Sequence, residues 1–360
     1  MKTIVYLERP SGVGHSIDRL FEEVRRRLPS EWSAQVLRCP TPGHGKFWLP
    51  RGLVAAAKCR ADVYHVVTGV QYLAVATPGA RTVVTVCDLG SLYAMRGLRE
   101  LLFRWSYFTI PLSKCRAITV ISETTRERLI KAFPWCDGKV TVVPVPLVAG
   151  FTYAPKAFCH QRVNILMIGT GEQKNLPRAI RALSGLPCTV TIVGPIREDL
   201  RRALEDSRLE YRNIENATDG EVVESYRKCD LVLFPSLHEG FGMPIIEAQA
   251  TGRVVVTSNL EPMKSVAGGG ALLVDPHSES DIRRAVVAAM ENVELRGDLL
   301  AAGLRNAARY DPKVIAGQYA TIYESLLSER CTATKPAARV ERTSLVGSST
   351  DTEKWAEKRP

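Results

Sequence analysis

The chain has 360 residues, too many for one ordinary hydrophobic core, and this length predicts two domains. Its apolar share of 45% is typical of a globular protein, and no stretch approaches the roughly 20 apolar residues of a membrane span. The net charge of +10 is uneven, because residues 1–160 hold 22 Lys and Arg against 11 Asp and Glu.

The basic first half indicates an anionic partner. An anionic membrane surface or a lipid-linked substrate is favoured over nucleic acid, because the basic residues are dispersed and no aromatic-basic stacking motif is present. A solvated positive face is an equally simple interpretation. The charge therefore points to a class of partner without selecting one.

The N-terminal stretch "MKTIVYLERPSGVG" predicts a β-strand rather than a signal peptide, since its apolar run is short and ends at Glu8 and Arg9. The nine cysteines are scattered singly, with no CxxC pair. Such a set predicts reduced thiols, with neither a disulfide framework nor zinc. We therefore expect a cytoplasmic protein.

In chain order, the first half alternates strand-like and helix-like segments. The strand-like runs are "TIVYLE", "SAQVLRC", "VYHVV", "RTVVTVCD", "AITVIS" and "KVTVVP". Amphipathic stretches such as "SIDRLFEEVRRRL" and "ETTRERLIKAF" lie between them. Continuous apolar strands separated by helices are typical of a parallel sheet covered on both faces. The first 150 residues therefore predict one doubly wound α/β domain.

A proline-rich break follows, and we expect a linker at 151–161. The alternation then restarts with "RVNILMIG", "CTVTIVG", "YRNIEN", "DLVLFP", "RVVVTSN" and "ALLVDP", separated by further helical patterns. This predicts a second doubly wound α/β domain over 162–330, with ligand in the cleft between the two. The tail at 331–360 has little apolar pattern and is predicted to be disordered.

Within the first domain, "AMRGLRELLFRWSYFTIPLSKCR" at 94–116 mixes arginines with leucines and aromatic residues. An amphipathic stretch of this kind can lie on a membrane surface. A helix packed on its own sheet is the more common explanation, and both stay open.

The segment "HEGFGMPIIEAQATG" at 238–252 carries the strongest chemical signal. Glu239 and Glu247 stand on either side of a glycine turn, and Pro244 predicts the first turn of a helix. Carboxylates accept hydrogen bonds from pairs of sugar hydroxyls, and free amides at a helix start favour phosphate. A nucleoside diphosphate sugar would satisfy the whole set, whereas a plain strand–loop–helix corner with solvated glutamates is the alternative.

This segment resembles the Glu-x7-Glu signature of family 4 retaining glycosyltransferases, of the group 1 type, which have the GT-B fold of two Rossmann-like domains. "MIGTGEQKNLPRAIRAL" and "VAGGGALLVDPHSESDIRRAV" resemble the neighbouring parts of that family's donor domain. The similarity is strong from about 163 to 323. It continues more weakly through "SGVGHSIDRL", "TVVTVCDLGSLY" and "AITVISETTRERL" in the first half.

The resemblance implies a role for each matching residue. Glu239 would contact the hydroxyls of the donor sugar, Glu247 would hold the ribose, and Lys174 would neutralise the diphosphate as negative charge develops on the leaving group. Asp88 is a candidate catalytic residue on the acceptor side. Further donor-binding candidates are Gly12, Gly14, Gly169, Thr170, Phe241, Gly242 and Met243.

Three features depart from the family pattern or are ambiguous. The family commonly has an arginine a few residues before the lysine, and the corresponding place in this chain is close to Thr170. Either Lys174 then neutralises more of the phosphate charge alone, or another basic residue helps. The family often has His-Asp where this chain has Cys87 and Asp88, and cysteine is neither a cation at neutral pH nor a strong hydrogen-bond donor. His65 ends a strand, where a lone histidine more often has a structural role than a place in the cleft.

No Asp-x-Asp metal motif is present, and we expect neither metal nor cofactor besides the nucleotide-sugar co-substrate. The family implies front-face substitution with retention, in which the departing phosphate assists deprotonation of the acceptor hydroxyl. The leading hypothesis is thus a cytoplasmic hexosyltransferase, mannose-type favoured, that extends a glycan or lipid-linked acceptor and is peripheral on the inner face of the membrane. The alternative is a non-catalytic sugar-nucleotide-binding subunit of a partner enzyme, favoured by Cys87.

Overall fold

The structure is a computed structural model, and it describes residues 1–9, 15–39, 48–67, 69–93 and 97–328. All twelve strands that the sequence predicts are present, and they form two separate parallel sheets of six strands each. The α/β architecture is therefore confirmed. The predicted tail at 331–360 lies outside the described residues.

The first sheet has the strand order β2-β1-β3-β4-β5-β6. Its four central strands are largely buried, as expected where helices cover a parallel sheet, whereas its two edge strands are partly exposed. Its strands are β1 (Lys2–Glu8), β2 (Trp32–Arg38), β3 (Val63–Val66), β4 (Thr82–Val86), β5 (Ala117–Val120) and β6 (Val140–Val142). The accompanying helices are α1 (His15–Arg27), α2 (Trp48–Lys58), α3 (Gly90–Tyr93), α4 (Leu98–Phe103), α5 (Ile110–Lys114) and α6 (Glu123–Ala132).

The second sheet has the strand order β12-β11-β10-β7-β8-β9. Its strands are β7 (Val163–Ile168), β8 (Cys188–Val193), β9 (Glu210–Ile214), β10 (Leu231–Phe234), β11 (Val254–Ser258) and β12 (Leu272–Val274). Its helices are α7 (Leu176–Leu183), α8 (Glu198–Ser207), α9 (Asp219–Lys228), α10 (Met243–Thr251), α11 (Met263–Ala267), α12 (Glu279–Glu291) and α13 (Val293–Ala307). This is the doubly wound order of dinucleotide-binding domains, and it reverses direction between β7 and β10.

The last helix, α14 (Pro312–Ser328), corrects the predicted extent of the second domain. The sequence analysis assigned all of 162–330 to that domain. In the structure Ile315, Tyr319 and Tyr323 join a core cluster with Ile4 and Tyr6 of β1. Helix α14 therefore completes the first half, because its apolar face covers a side of the first sheet that would otherwise be exposed.

The two halves share one apolar cluster. Leu20, Ile121 and Phe151 lie in the same cluster as Tyr226 and Phe241 from the second half. The segment between β6 and β7 contains no helix or strand, in keeping with the linker expected there. The cluster holds the carboxyl ends of both sheets facing each other across a cleft.

The predicted amphipathic stretch forms a helix that runs through α4, π-helical turns at Arg104–Thr109, and α5. Phe108 and Leu112 on its inner face are buried in the first core. Its outer face carries Leu98, Leu101, Leu102 and Trp105, which we call the apolar ridge, and each is more than half exposed. Within the part of the chain that the structure describes, no helix is long and apolar enough to cross a membrane.

Candidate active site in the cleft

The candidate site lies where the second sheet reverses its strand order. Strands β7 and β10 are hydrogen-bonded neighbours, with Leu231 opposite Ile165, so the loops that follow them emerge side by side. Ligands of doubly wound sheets bind at this position. A cavity of about 1260 Å³ opens there and is lined by both halves. That volume exceeds the roughly 300–1,000 Å³ of an ordinary small-molecule pocket.

The sequence-predicted residues Lys174 and Glu239 meet in this cavity. Lys174 Nζ donates a hydrogen bond to Glu239 Oε1 at 2.7 Å, and the ammonium lies 4.6 Å from the Phe234 ring centroid. Gly169 makes the approach possible, because a Cβ at that position would lie 2.9 Å from Lys174 Cε and its φ is +79°. One cation and one carboxylate are therefore held together, mostly buried, at the strand ends.

Two sets of hydrogen bonds fix the loops that carry this pair. Leu237 N donates to Gln173 O at 2.8 Å, which ties the two loops directly. Asn175 has a left-handed backbone with φ of 59° and donates through Nδ2 to Pro235 O at 3.1 Å and Pro276 O at 2.7 Å. Sequence reasoning missed this role, although asparagine is the non-glycine residue that most readily adopts this conformation.

Helix α10 begins at the glycine turn of the signature segment. Gly242 precedes it with φ of +105°, and no side chain caps the first turn. Phe241, Gly242 and Met243 all line the cavity, although the Phe241 ring also packs edge-on against Tyr310 at 5.7 Å. Pro244 has no N–H and Ile245 N donates to Gly242 O at 3.0 Å, so the N–H of Met243 and the helix dipole make this end of α10 suitable for an anion.

Glu247 lies one turn further along α10 and lines the same cavity. Tyr226 donates its hydroxyl to Glu247 Oε2 at 2.5 Å. Burial raises the pKa of Glu247 to about 7, opposed by the Tyr226 hydrogen bond and by the charges of Arg19 and Lys174. Burial and the adjacent carboxylate also hold the pKa of Tyr226 well above its usual value, so Tyr226 stays a donor. Sequence analysis did not single out Tyr226, since nothing local distinguishes it from a core tyrosine.

The first half supplies the opposite wall. Asp88 is exposed to the cavity and accepts a hydrogen bond from Gly90 N at 2.9 Å. Cys87 is buried, and its carbonyl accepts a bond from Thr125 Oγ1 at 3.5 Å. Ser122 donates to the carbonyl of Gly240 at 3.1 Å, so the glycine turn touches the first half directly.

Other predicted residues lie elsewhere. His65 is fully buried, with Nδ1 2.7 Å from the Tyr323 hydroxyl and Nε2 2.6 Å from Thr85 Oγ1. Burial lowers the pKa of His65 to about 3, so the ring is neutral and structural. Thr170 does not line the cavity; its side chain packs against Gly194, and its carbonyl accepts a bond from Arg197 Nη1 at 3.2 Å. Gly12 and Gly14 lie outside the described residues.

The cavity contains further basic residues that the sequence analysis did not name: Arg19, Arg104, Arg128 and Lys131, all from the first half. Helical basic residues are usually solvated, so only the fold shows that these four converge on one cleft. Within the described ranges, no group of three or more His, Cys, Asp or Glu side chains is placed to hold a metal ion.

Two facing doubly wound domains, with a cleft at the switch point of the second sheet, form the GT-B fold. Known proteins agree. The model described as "Glycosyltransferase Family 4" matches residues 12–147, and the one described as "Glycosyl transferases group 1" matches residues 156–305. The chain therefore belongs to the group 1, family 4-like glycosyltransferases.

Relatives and solved structures place the chain among proteins of this kind. It is 36% identical over 93 residues to the serotype-specific mannosyltransferase WbdA of Escherichia coli, covering 26% of this chain and 11% of WbdA. It is 25% identical over 239 residues to O-antigen chain mannosyltransferase B of Escherichia coli, covering 60% of this chain and 62% of that protein. The chain thus spans less than two thirds of either relative. Anabaena HepE, solved with UDP and glucose, shares the fold with a TM-score of 0.71 at 14% identity, covering 90% of this chain and 100% of that one.

Proposed function

We propose that the protein is a retaining hexosyltransferase that moves a mannose-type sugar from a nucleoside diphosphate donor to a glycan or lipid-linked acceptor. One observation carries the proposal. The Lys174–Glu239 pair, Glu247 and the uncapped start of α10 all line one cavity. The mannosyltransferase names of the relatives support the choice of sugar, and the UDP and glucose bound to HepE support a nucleotide-sugar donor.

In this proposal the donor lies along the carboxyl edge of the second sheet. The diphosphate contacts Lys174 and the N–H of Met243 at the start of α10, where charge and dipole both favour an anion. Glu239 accepts hydrogen bonds from the sugar hydroxyls. Glu247, positioned by Tyr226, accepts them from the ribose. Balancing the phosphate charge with these groups requires no metal.

The proposed chemistry takes place on one face of the sugar. The bond between the anomeric carbon and the β-phosphate oxygen breaks, and a bond to the acceptor oxygen forms on the same face. The acceptor proton passes to the departing phosphate oxygen. Lys174 stabilises the charge that develops on that phosphate, and Asp88 on the opposite wall accepts a hydrogen bond from an acceptor hydroxyl.

We also propose that the protein works as a peripheral protein on the anionic inner face of a membrane. The apolar ridge supports this, since its four side chains are 71%, 61%, 56% and 58% exposed for Leu98, Leu101, Leu102 and Trp105. Their spacing of three and four residues places them on one helix face. An exposed apolar stripe on a basic domain is the composition of an interfacial helix.

A donor screen tests the function. GDP-, UDP- and ADP-sugars are added to the protein, and thermal unfolding is followed; the true donor raises the melting temperature, because it binds only the native state. Transfer is then measured with that donor and a panel of mannose-terminated acceptors, with the anomeric configuration of the product read by NMR. Absence of stabilisation by every nucleotide sugar, or an inverted product, would contradict the proposal.

The second candidate function is a sugar-nucleotide-binding subunit without turnover. Cys87 favours it, because a buried thiol stands where the family often has a histidine. The same screen separates the two functions: stabilisation by a donor, with neither transfer nor hydrolysis under any acceptor, would identify the binding subunit.

A further inference from the structure

Three basic side chains of the first half line the cavity that also holds the Lys174–Glu239 pair of the second half. We call them the acceptor-side cations; they are Arg104, Arg128 and Lys131. Arg128 and Lys131 lie one turn apart on α6, so both project from one face of that helix. Arg104 reaches the same wall from the π-helical turns after α4 and donates to Ala132 O at the end of α6.

The charges of the cavity are not balanced on this side. Lys174 is paired with Glu239, and Arg19 is paired with Asp219. Within the described ranges of the chain, no carboxylate forms an ion pair with any of the acceptor-side cations. The Arg128 guanidinium lies 3.4 Å from the ring nitrogens of His238, which supplies no negative charge.

Positive groups that converge on a cavity wall without a carboxylate partner create a field that attracts an anion. Arg104 is also held in place, because its guanidinium lies over the Phe133 ring at 4.6 Å and is fixed by Ala132 O. A preorganised arginine with two neighbouring cations suits the several oxygens of a phosphate group better than a single carboxylate.

We propose that the acceptor carries a phosphate or diphosphate group and that Arg104, Arg128 and Lys131 bind it. This inference rests on the proposed function and specifies its acceptor. Asp88, on the same side of the cavity, then accepts the reacting hydroxyl while the cations hold the phosphate. The donor phosphate is bound separately, by Lys174 and α10 in the second half.

The apolar ridge lies next to the proposed phosphate site and could contact the lipid of a lipid-linked acceptor. Arg104 lies on the same helical stretch as Leu101, Leu102 and Trp105, and it faces the cavity while they face solvent. A lipid-linked diphosphate that enters from a membrane would meet the apolar side chains with its lipid and the cations with its phosphates. A water-soluble phosphorylated acceptor would use the cations alone.

The test is a calorimetric titration without donor, with geranyl diphosphate and inorganic pyrophosphate as probes. The wild type is compared with the double variant Arg128→Gln/Lys131→Gln, with Lys174→Gln, and with Arg126→Gln as matched control. Arg126 lies on the same helix but is paired with Asp137 at 2.7 Å and does not line the cavity. We expect two diphosphate sites in the wild type, because the donor site is empty in this titration. The double variant keeps the Lys174-dependent site and binds at the other at least about tenfold more weakly, Lys174→Gln keeps the site of the acceptor-side cations, and Arg126→Gln keeps both.

Each outcome decides the proposal. Wild-type binding by the double variant, or loss confined to Lys174→Gln, would overturn it. Tighter binding of geranyl diphosphate than of pyrophosphate supports a lipid-linked acceptor, and equal binding supports a soluble phosphorylated one. If the double variant melts early, Lys131→Gln alone, at an exposed position, repeats the test. The titration contains no donor, so it is independent of the transfer assay. Diphosphate binding by the acceptor-side cations without sugar transfer would refute only the proposed function. Sugar transfer without this diphosphate binding would refute only this inference.

Discussion

The Lys174–Glu239 ion pair determines what each of its members can do before a donor arrives. The two side chains are only 16% and 14% exposed, so the charge of each is compensated by its partner rather than by water. A bound donor must exchange this contact for its own diphosphate and sugar hydroxyls. Removal of one partner leaves the other charge unpaired and removes one half of the donor contacts.

We predict that Lys174→Ala and Glu239→Ala each lower kcat by about 10²–10³-fold or more, as for removal of a preorganised electrostatic group. Steady-state kinetics with the identified donor measure the effect, and circular dichroism verifies the fold. Arg181→Ala is the matched control, because Arg181 pairs with Glu279 at 2.6 Å on the exposed side of the same domain. Turnover close to wild type in either cavity variant would remove the pair from the proposed site.

Glu247 predicts a pH dependence of donor binding. Because burial raises the pKa of its carboxyl to about 7, the group carries a proton below that pH and accepts ribose hydroxyls poorly. Donor affinity should therefore fall as pH decreases through about 7, by up to about tenfold per unit on the acid side. The raised pKa has the opposite effect on folding stability, since the ionised form is disfavoured in the native state and stability declines as pH rises towards 7.

Titrations of the donor between pH 6 and pH 8 test this prediction. Glu247→Gln keeps the shape of the side chain and removes the titration, so the variant should bind the donor weakly and without this pH dependence. Identical pH profiles for the variant and the wild type would show that another group titrates.

Among the elements, α14 contributes a hydrogen-bonded aromatic cluster to the first half. The Tyr323 hydroxyl lies 3.0 Å from the Tyr6 hydroxyl and 2.7 Å from His65 Nδ1. All three side chains are buried, and the Tyr323 ring also packs against Trp32 at 5.5 Å. This cluster both covers the first sheet and gives His65 one of its two polar partners.

We predict that Tyr323→Ala lowers the free energy of unfolding by about 3–5 kcal/mol, as for other large buried rings. Tyr323→Phe should cost about 1–3 kcal/mol, because it removes only the hydroxyl and leaves buried partners unsatisfied. Tyr211→Ala, at an exposed position of β9, serves as control and should cost less than about 1 kcal/mol. Urea unfolding measures all three; equal losses for Tyr323→Ala and the control would contradict the assignment of α14 to the core.

The elements also show what the sequence could predict. Strands such as β7 and β10 were predictable, because buried parallel strands are continuous apolar runs with turn residues at their ends. The signature segment predicted the loop and start of α10, because proline and glycine constrain the backbone locally. The position of α14 was not predictable, since its apolar stripe does not state which sheet it covers. Tyr226 and the acceptor-side cations were missed because only tertiary contacts bring them to the cavity.

The molecule as a whole combines a basic first half with an exposed apolar stripe on the same half. Residues 1–160 carry a net charge of +11, whereas residues 161–330 carry 20 Lys and Arg against 23 Asp and Glu. An anionic membrane would therefore attract one half of the protein in particular. Attraction between charges orients the approach, and burial of the apolar ridge adds the short-range contact.

We predict that the protein sediments with phosphatidylglycerol vesicles and much less with phosphatidylcholine vesicles. Binding should weaken as salt rises from about 0.1 M to 1 M, where the Debye length falls from about 10 Å to 3 Å. Leu101→Glu/Leu102→Glu should reduce binding at least tenfold, because each exposed leucine can contribute about 1.5–3 kcal/mol when buried. Val293→Glu, 66% exposed on the other half, is the control. If the fraction bound to vesicles does not change with salt, with lipid composition or with the double substitution, the result would argue against a membrane role.

The return of α14 to the first sheet has a consequence for the making of the protein. The chain passes from the first half to the second after β6 and returns to the first half after α13. The two connecting segments are hydrogen-bonded, since Leu147 N donates to Tyr310 O at 2.8 Å. During synthesis β1 and His65 emerge early, but the helix that covers them is among the last described residues to be made. Contacts so distant in sequence form slowly, because the intervening chain must be ordered first. The half that begins the chain is therefore completed last, and truncation near residue 311 should leave it a substrate for chaperones and proteases.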